Sequence, residues 1–218
     1  MPVRIRRAEE ADIPFLAGVA IAAARSHVER GLFDLLIPDD ADARQAFAEA
    51  LLRARPSWCH WQNFHLAEVD GEPAAALSGY PIGDVDLAPP EQVLPEVARS
   101  QGFSDDELAA AFLRVAPFAS CFLEDDPDAW AIEWVATDPR FRRRGLTRAL
   151  LEEVLAEGRA RGHGTSQLLL LIGNEPAQRA YVKFGFRIVD EKRTAEFEAA
   201  IGCPGLARME RREEGGRR

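Results

Sequence analysis

Three consecutive arginines precede a glycine and the start of an amphipathic segment, after an apolar stretch that begins at Trp130. The run reads Arg142-Arg143-Arg144-Gly145-Leu146-Thr147-Arg148. Backbone N–H groups at a helix start have no intrahelical partners and lie at the positive end of the helix dipole, so phosphate groups bind there readily. Arginine side chains supply the countercharge. The run therefore predicts a phosphate- or pyrophosphate-binding turn between a strand and a helix, with a solvated basic turn as the alternative.

A second pattern follows one helix and one strand later. We predict a helix over 146–161, a turn at 162–164 and, because it is apolar and flanked by glycines, a buried strand over 167–172. The chain then continues as Gly173-Asn174-Glu175-Pro176-Ala177-Gln178-Arg179-Ala180-Tyr181-Val182-Lys183-Phe184-Gly185-Phe186. The three- and four-residue spacing of Ala177, Ala180, Tyr181 and Phe184 predicts a helix with one inward face.

Both patterns resemble motifs of the GNAT superfamily of acyl-CoA-dependent N-acyltransferases. The first is similar to Arg/Gln-x-x-Gly-x-Gly/Ala, although Thr147 stands where the family has a small residue. The Thr147 side chain must then point away from the phosphates or hydrogen-bond one of them. The second pattern is similar to Asn-x-x-Ala-x-x-x-Tyr-x-x-x-Gly-Phe at every position. The two motifs occur in the family's order, so the chain is identified as a member of this superfamily.

The resemblance implies an acetyl-CoA site. The basic turn would hold the pyrophosphate, and the strand before it would splay from the next strand and pair with the pantetheine arm. Tyr181 would act as the general acid beside the thioester sulfur. The residues assigned to the acetyl-CoA site are Val135, Ala136, Thr137, Arg142, Arg143, Arg144, Gly145, Leu146, Thr147, Arg148, Asn174, Ala177 and Tyr181.

Several of these residues also have a structural alternative. The strand residues 135–137 could serve in ordinary sheet pairing. Asn174 could cap the helix that follows it. Tyr181 could be a core aromatic, because its position places it on the inward face of that helix.

Glu133 is the candidate general base. It lies within an apolar strand, where strict alternation would place it on the same face as Ala131 and Val135 and opposite Trp134. Apolar surroundings raise the pKa of a carboxyl group, which suits proton abstraction directly or through water. Its match to carboxylates that some family members use on this strand is approximate. An edge or salt-bridged glutamate is the alternative.

Other polar side chains are weaker candidates. His60, His65 and Tyr80 are expected near the acceptor cleft, with a structural role favoured for each. His27 and His163 read as helix-end or turn residues.

The elements that must position these residues form one pattern along the chain. The resemblance and the patterning together imply an α+β (α/β) GNAT fold, with a mixed central sheet of about six to seven strands flanked by helices. We expect a single domain over 1–212 and a flexible tail over 213–218. The remaining predicted elements are a strand at 3–7, helices ending near 31 and over 39–55, a hairpin at 64–69 and 73–79 around Asp70-Gly71, helices at 93–100 and 105–115 with Ser104 as N-cap, strands at 187–193 and 205–211, and a helical turn within 194–204.

Composition excludes several classes of function. The 218 residues are 47% hydrophobic, enough for one ordinary core. No apolar stretch approaches the roughly 18 residues of a membrane helix, and no secretory core follows 1–7, so a soluble cytoplasmic protein without membrane partners is expected. The scattered Cys59, Cys121 and Cys203 lack metal-ligand spacing, so no metal is expected.

The net charge of −9 argues against nucleic-acid binding. Between Asp84 and Asp128 the chain carries eleven carboxylates against Arg99 and Arg114, a balance equal to the whole net charge. This acidic stretch lies within 80–128, which is longer than a connection between strands requires and is predicted to be a helical insertion. It could form a wall of the acceptor site and favour a cationic acceptor, or it could be a solvated surface.

The leading hypothesis is an N-acetyltransferase that transfers the acetyl group of acetyl-CoA to a primary amine by direct attack in a ternary complex. The acceptor would be a small-molecule amine or a protein amine. A non-catalytic acyl-CoA-binding or sensing module on the same fold is the alternative. A nucleotide phosphotransferase is disfavoured, because no lysine follows Gly145 in the pattern that a P-loop requires.

Overall fold

A computed structural model describes residues 3–213 of the chain, which form one seven-stranded sheet flanked by eight α-helices. The strands are β1 (Val3–Arg7), β2 (Phe64–Val69), β3 (Glu72–Pro81), β4 (Trp130–Thr137), β5 (Thr165–Leu171), β6 (Arg187–Arg193) and β7 (Gly205–Arg212). The helices are α1 (Ile13–Arg25), α2 (Leu32–Leu36), α3 (Ala41–Arg53), α4 (Pro90–Ser100), α5 (Asp105–Ala119), α6 (Leu146–Ala160), α7 (Glu175–Val182) and α8 (Ala195–Ile201). The predicted fold class is confirmed.

The sheet is antiparallel except at its centre. Its strand order is β1-β2-β3-β4-β5-β7-β6, and only the β4–β5 pair is parallel. That pair has just two register partners, Trp130 with Ser166 and Ala131 with Gln167. Beyond Ala131 the two strands separate, so the sheet opens into a V at its middle.

Two large cores cover the two faces of the sheet. One contains buried residues of α1, α3, α4 and α5, and the other contains those of α6 together with Tyr181 of α7. On β3, Ala76 belongs to the first core and Leu77 to the second, as the two-residue period of a strand requires. The apolar stripe of α6 explains its position, because Leu150, Val154 and Leu155 recur at helical spacing and are buried.

The first half differs from the predicted elements mainly in helix boundaries. Helix α1 ends at Arg25 because the chain turns at Ser26, whose φ is 55°, and α2 then begins separately at Leu32. The Asp40 side chain caps α3, so that helix starts two residues later than predicted. The predicted hairpin between β2 and β3 is confirmed.

The acidic insertion is part of the domain's packing. Helices α4 and α5 form where helices were predicted, but α4 begins three residues earlier and α5 ends four residues later. The Ser104 side chain caps α5, as predicted, by accepting a hydrogen bond from the Glu107 backbone N–H at 3.3 Å. Val93 and Leu108 are buried in the core that α1 and α3 share. Helices α4 and α5 therefore pack on that face of the sheet, and the assignment of this stretch as an insertion stays a prediction.

The end of the described chain also carries more structure than predicted. A seven-residue helix, α8, forms between β6 and β7. The Glu213 N–H donates a hydrogen bond to the Gly164 carbonyl at 2.9 Å, whereas residues 214–218 of the predicted tail lie outside the described residues. Within residues 3–213, no helix is long and apolar enough to span a membrane.

Candidate active site

The basic turn between β4 and α6 has the backbone geometry of an anion-binding loop. Arg143 and Gly145 have left-handed φ angles of 62° and 76°. The N–H groups of the first turn of α6 lack intrahelical acceptors, and a Cβ at Gly145 would have no neighbour within 4 Å. The turn is therefore open above the helix N-terminus.

The arginines of this region differ in their partners. Arg140 forms ion pairs with Glu72 at 2.7 Å and Asp138 at 2.8 Å. Arg148 was assigned to the phosphates through its backbone N–H, and its side chain pairs with Glu152 at 2.8 Å along α6. The Arg144 guanidinium lies 5.3 Å from the Phe141 ring centre. The exposed Arg142 and Arg143 form no ion pair within residues 3–213.

The departure from the small residue at position 147 has a structural consequence. The Thr147 hydroxyl lies 3.2 Å from the Thr137 hydroxyl and links the first turn of α6 to the end of β4. The Thr147 hydroxyl is therefore engaged with β4, and its position relative to the phosphates stays a prediction. Leu146, next to it, is buried beneath the turn.

The end of β4 has one paired edge and one open edge. Ala136 and Thr137 pair with Ala76 and Ala75 of β3. On the other side, no register partner on β5 is found past Ala131. Ordinary sheet pairing is therefore satisfied on the β3 side, and the edge facing the V remains open to a ligand.

A β-bulge in β4 changes the face to which several residues belong. Its register moves from Ser78 opposite Glu133 to Ala76 opposite Ala136, so three steps on β4 match two on β3. Trp134 has a left-handed φ of 53°. The extra residue breaks the alternation on which the face of Glu133 was predicted.

The predicted face of Glu133 is thus partly wrong. Trp134 packs in the core of α1 and α3, with its ring centre 5.9 Å from that of Phe33, and Val135 packs on the α6 side. Glu133 shares the face of Ala131, as predicted, but not that of Val135. The bulge places Glu133 and Trp134 on the same side of the sheet.

Glu133 lies in desolvated surroundings. The Tyr80 hydroxyl is placed to donate a hydrogen bond to the carboxylate, and Asp125 is the charge that acts on it most. Burial raises the pKa of Glu133 to about 7; the charge of Asp125 adds to this, and the hydrogen bond from Tyr80 opposes it. Near neutral pH the carboxyl group therefore populates both protonation states, as a general base requires.

A small cleft opens where β4 and β5 separate. The rings of Trp58 and Tyr80 stack along it with centres 5.6 Å apart. Asp125 accepts a hydrogen bond from Gln167 Nε2 at 2.5 Å. The cleft is lined by Trp58, Tyr80, Ile82, Asp125, Ala131, Ile132, Glu133, Gln167, Leu168 and Leu169.

Sequence reasoning did not identify Trp58, Asp125 or Gln167 as site residues. Asp125 was counted with ten other acids, but no local pattern distinguishes it from them. In the sequence, Gln167 stands out only as a polar residue at the start of an apolar strand. In the structure its side chain is buried, with 3% of the residue exposed.

Tyr181 is a core aromatic, which is the structural alternative considered for it, and its role as general acid stays a prediction. It is buried in the α6 core, 6.1 Å from the Phe186 ring, and Ala177 packs against the same core. Its hydroxyl makes no hydrogen bond to residues 3–213. Burial raises the pKa of this phenol, so it stays protonated at neutral pH and available as an acid.

Asn174 caps α7, which is the structural alternative considered for it. Its Oδ1 accepts a hydrogen bond from the Ala177 N–H at 3.2 Å. Its Nδ2 donates to Ser26 Oγ at 2.6 Å and so joins the end of α1 to the loop after β5.

The histidines contribute little to the cleft. His65 was expected near it, but this is wrong: His65 Nε2 lies 3.1 Å from Glu157 of α6, on the opposite face. Its neighbours Phe64 and Leu66 face α1 and α3, so alternation turns His65 away. His60 is half-buried, which lowers its pKa, and packs against Trp61.

The two remaining histidines are in turns, as expected. His163 Nδ1 lies 2.9 Å from the Asp128 carbonyl oxygen, and the exposed His27 follows the end of α1. Within residues 3–213, no group of three or more His, Cys, Asp or Glu side chains is arranged to hold a metal ion.

Comparison with solved structures supports the same architecture. A crystal structure described as an acetyltransferase has a TM-score of 0.67 and 19% identity, covering 97% of this chain and 100% of that one. An N-acetyltransferase from Staphylococcus aureus Mu50 has a TM-score of 0.65 and 18% identity, covering 95% and 99%. The ribosomal-protein-S18-alanine N-acetyltransferase from Escherichia coli has a TM-score of 0.53 and 18% identity, covering 98% of both. At these identities the likeness concerns the fold.

Sequence comparison identifies the family. No curated protein matches the chain. The family model described as "Acetyltransferase (GNAT) family" matches residues 30–186, which run from before α2 to the end of the second motif. With its motifs and its open central sheet, the chain therefore belongs to the GNAT acetyltransferase family.

Proposed function

We propose that the protein is an N-acetyltransferase that transfers the acetyl group of acetyl-CoA to a primary amine by direct attack in a ternary complex. The observation that carries this proposal is the V between β4 and β5. The basic turn flanks the V at the end of β4, and the cleft that holds Glu133 lies where the strands separate.

The residues around the V suit a long, phosphate-bearing thioester. Exposed Arg142 and Arg143 and the N–H groups of the α6 N-terminus would bind the pyrophosphate. The open edge of β4 at 135–137 would hydrogen-bond the pantetheine amides. Acetyl-CoA supplies the activated acyl group. Asn174 already uses Oδ1 to cap α7 and one Nδ2 hydrogen to bind Ser26, so a hydrogen bond to the pantetheine would have to use the remaining hydrogen or lone pair of its amide.

The proposed chemistry needs one base and one acid. Glu133 takes a proton from the incoming amine, whose nitrogen then forms a bond to the acetyl carbonyl carbon. The carbon–sulfur bond breaks, and Tyr181 gives its phenolic proton to the departing thiolate. The nitrogen of the new amide gives its remaining extra proton to the Tyr181 phenolate, which restores the phenol. The raised pKa of each group supports these directions, since Glu133 can be ionised near pH 7 and Tyr181 remains protonated.

Calorimetric titration with acetyl-CoA, free CoA and ATP tests the cofactor site first. We expect affinities on the order of micromolar for both CoA species and no binding of ATP. Release of free thiol in the presence of amines then tests transfer. Absence of CoA binding would overturn the proposal, and tight binding without thiol release from any amine would favour the non-catalytic module.

A further inference from the structure

We propose that the acceptor is a slender, positively charged primary amine of low molecular weight, and that Asp125 determines this specificity from the mouth of the cleft. This inference rests on the proposed function, because it concerns the acceptor half of the same site. It distinguishes two carboxylates: Asp125 recognises the charge, and Glu133 accepts the proton.

The walls of the cleft are short loops joined by backbone hydrogen bonds. The Trp58 N–H donates to the Ala88 carbonyl at 3.1 Å, and the Ile82 N–H donates to the Ala129 carbonyl at 3.1 Å. These bonds hold the loops before β2, after β3 and before β4 against one another. The cleft between these loops is small, which suits a thin molecule better than the surface of a folded protein.

Asp125 is held in place at the cleft. Gln167, 3% exposed on β5, donates to the Asp125 carboxylate at 2.5 Å and accepts a hydrogen bond from the Asp126 N–H at 3.1 Å. Asp125 is exposed as a residue, so it lies at the open side, and Glu133 lies deeper. An entering amine would therefore meet Asp125 before Glu133.

Among the described residues no cation acts on Glu133, whereas one, Arg208, acts on Asp125. The groups that act on the Glu133 carboxylate are Tyr80 and Asp125, neither of them positive. Arg208 of β7 favours the ionised form of Asp125, and Arg208 is itself ion-paired with Glu210 at 3.4 Å. A bound ammonium group would supply the missing charge.

An independent observation also points to a ligand. The Ser78 hydroxyl is 0% exposed and has no hydrogen-bond partner. Ser78 lies directly across from Glu133 in the sheet and two residues from Tyr80, so it projects from the face that forms the cleft. Because a buried hydroxyl without a partner is costly, this oxygen is suited to accept a hydrogen bond from an amine that reaches Glu133.

The aromatic wall fits the rest of such a molecule. Trp58 and Tyr80 stack with an interplanar angle of 26°, and both residues line the cleft together with Asp125 and Glu133. Ring faces attract alkylammonium groups and cover their apolar stems. The cleft thus combines two carboxylates, two aromatic rings and an unpartnered hydroxyl. These groups together suit a cationic amine.

The test compares two isomeric amines in two charge-matched variants. Benzylamine is cationic near neutral pH, and its isomer 4-methylaniline is neutral. Asp125→Asn should raise KM for benzylamine about tenfold or more, since it removes a charge-assisted contact. The same variant should leave KM for 4-methylaniline and the calorimetric affinity for acetyl-CoA unchanged. Glu124→Gln removes an equal charge from the neighbouring exposed residue, and it should change neither KM.

Three results would overturn the inference. If Asp125→Asn and Glu124→Gln raised KM for benzylamine equally, the acidic residues would act only by general electrostatic attraction of the amine. If Asp125→Asn raised KM for both amines by the same factor, Asp125 would shape the cleft but would not recognise the charge of the amine. Efficient acetylation of lysine-containing proteins, unaffected by Asp125→Asn, would identify a macromolecular acceptor. In each of these cases transfer itself still occurs, whereas failure to bind acetyl-CoA or to acetylate any amine would remove the proposed function as well.

Discussion

Glu133 is the residue whose protonation should control the rate. As the proposed base it must be ionised, so kcat/KM should rise with pH and level off above about 7. Glu133→Gln should lower kcat by about 10²- to 10⁴-fold and leave acetyl-CoA affinity unchanged. A thiol-release assay across pH measures both effects.

Tyr80 provides the control for this assignment. Its hydrogen bond lowers the pKa of Glu133, so Tyr80→Phe should move the midpoint of the rise to higher pH. If the midpoint were unchanged in Tyr80→Phe, the group that titrates in the pH profile would not be Glu133.

Tyr181 should affect turnover but not cofactor affinity. Its hydroxyl has no hydrogen-bond partner within residues 3–213, so Tyr181→Phe removes no contact of the described fold. We expect kcat to fall about 10²-fold or more, with the calorimetric Kd for acetyl-CoA within about twofold of the wild type. The midpoint of the rise of kcat/KM with pH should be the same in Tyr181→Phe as in the wild type. Equal losses of acetyl-CoA binding and of turnover would instead mark Tyr181 as a packing residue.

At the scale of elements, the N-terminus of α6 should be the main source of cofactor affinity. Gly145→Glu introduces a negative charge where phosphate is expected, and it should abolish calorimetric binding of acetyl-CoA. Gly102→Glu is the matched control, because both glycines have left-handed φ angles, 76° and 88°, and open space at Cβ. If both variants lost binding equally, backbone strain and not phosphate contact would be the cause.

The contact of α6 with the sheet should be sensitive to a single methyl group. A Cβ at Gly158 would lie 2.8 Å from the ring of the fully buried Trp130. Gly158→Ala should therefore lower the free energy of unfolding by about 1–3 kcal/mol in urea denaturation. Gly18→Ala in the exposed part of α1 has no neighbour within 4 Å and should stabilise by up to about 1 kcal/mol. Stabilisation by both substitutions would show that α6 can shift away from Trp130.

For the whole molecule, the proposed base should reduce stability at alkaline pH. Glu133 has a pKa of about 7 in the folded protein, against an ordinary value of 4.5. Below pH 4.5 the group is protonated in both states; between 4.5 and 7 only the unfolded state gives up its proton, so folding stability falls as pH rises. The loss approaches about 3 kcal/mol above pH 7.

Glu133→Gln removes this loss because glutamine stays neutral. We expect its Tm to exceed that of the wild type by several degrees at pH 8 and to equal it at pH 4.5. The exposed Glu124→Gln should show no comparable gain, and a lower Tm of Glu133→Gln at pH 8 would contradict the desolvated environment of this carboxyl group.

The sequence by itself determined the order of elements and the two motifs of the family. Those features are local, since a helix cap such as Ser104 and an amphipathic stripe such as that of α6 depend on residues a few positions apart. The turn at Gly145 and the helix start after it were predictable for the same reason, whereas the binding of phosphate there stays a prediction.

Only the tertiary structure decided which polar residues meet. The bulge at Trp134 depends on packing against both faces of the sheet, so alternation along β4 could not reveal it. Asp125 reaches the cleft through a hydrogen bond to Gln167, 42 residues away, and loop residues carry no periodicity that would have selected it among eleven acids. His65 faced the other way because its strand packs between two cores. Contacts between distant segments depend on tertiary packing, which cannot be predicted from a short stretch of sequence.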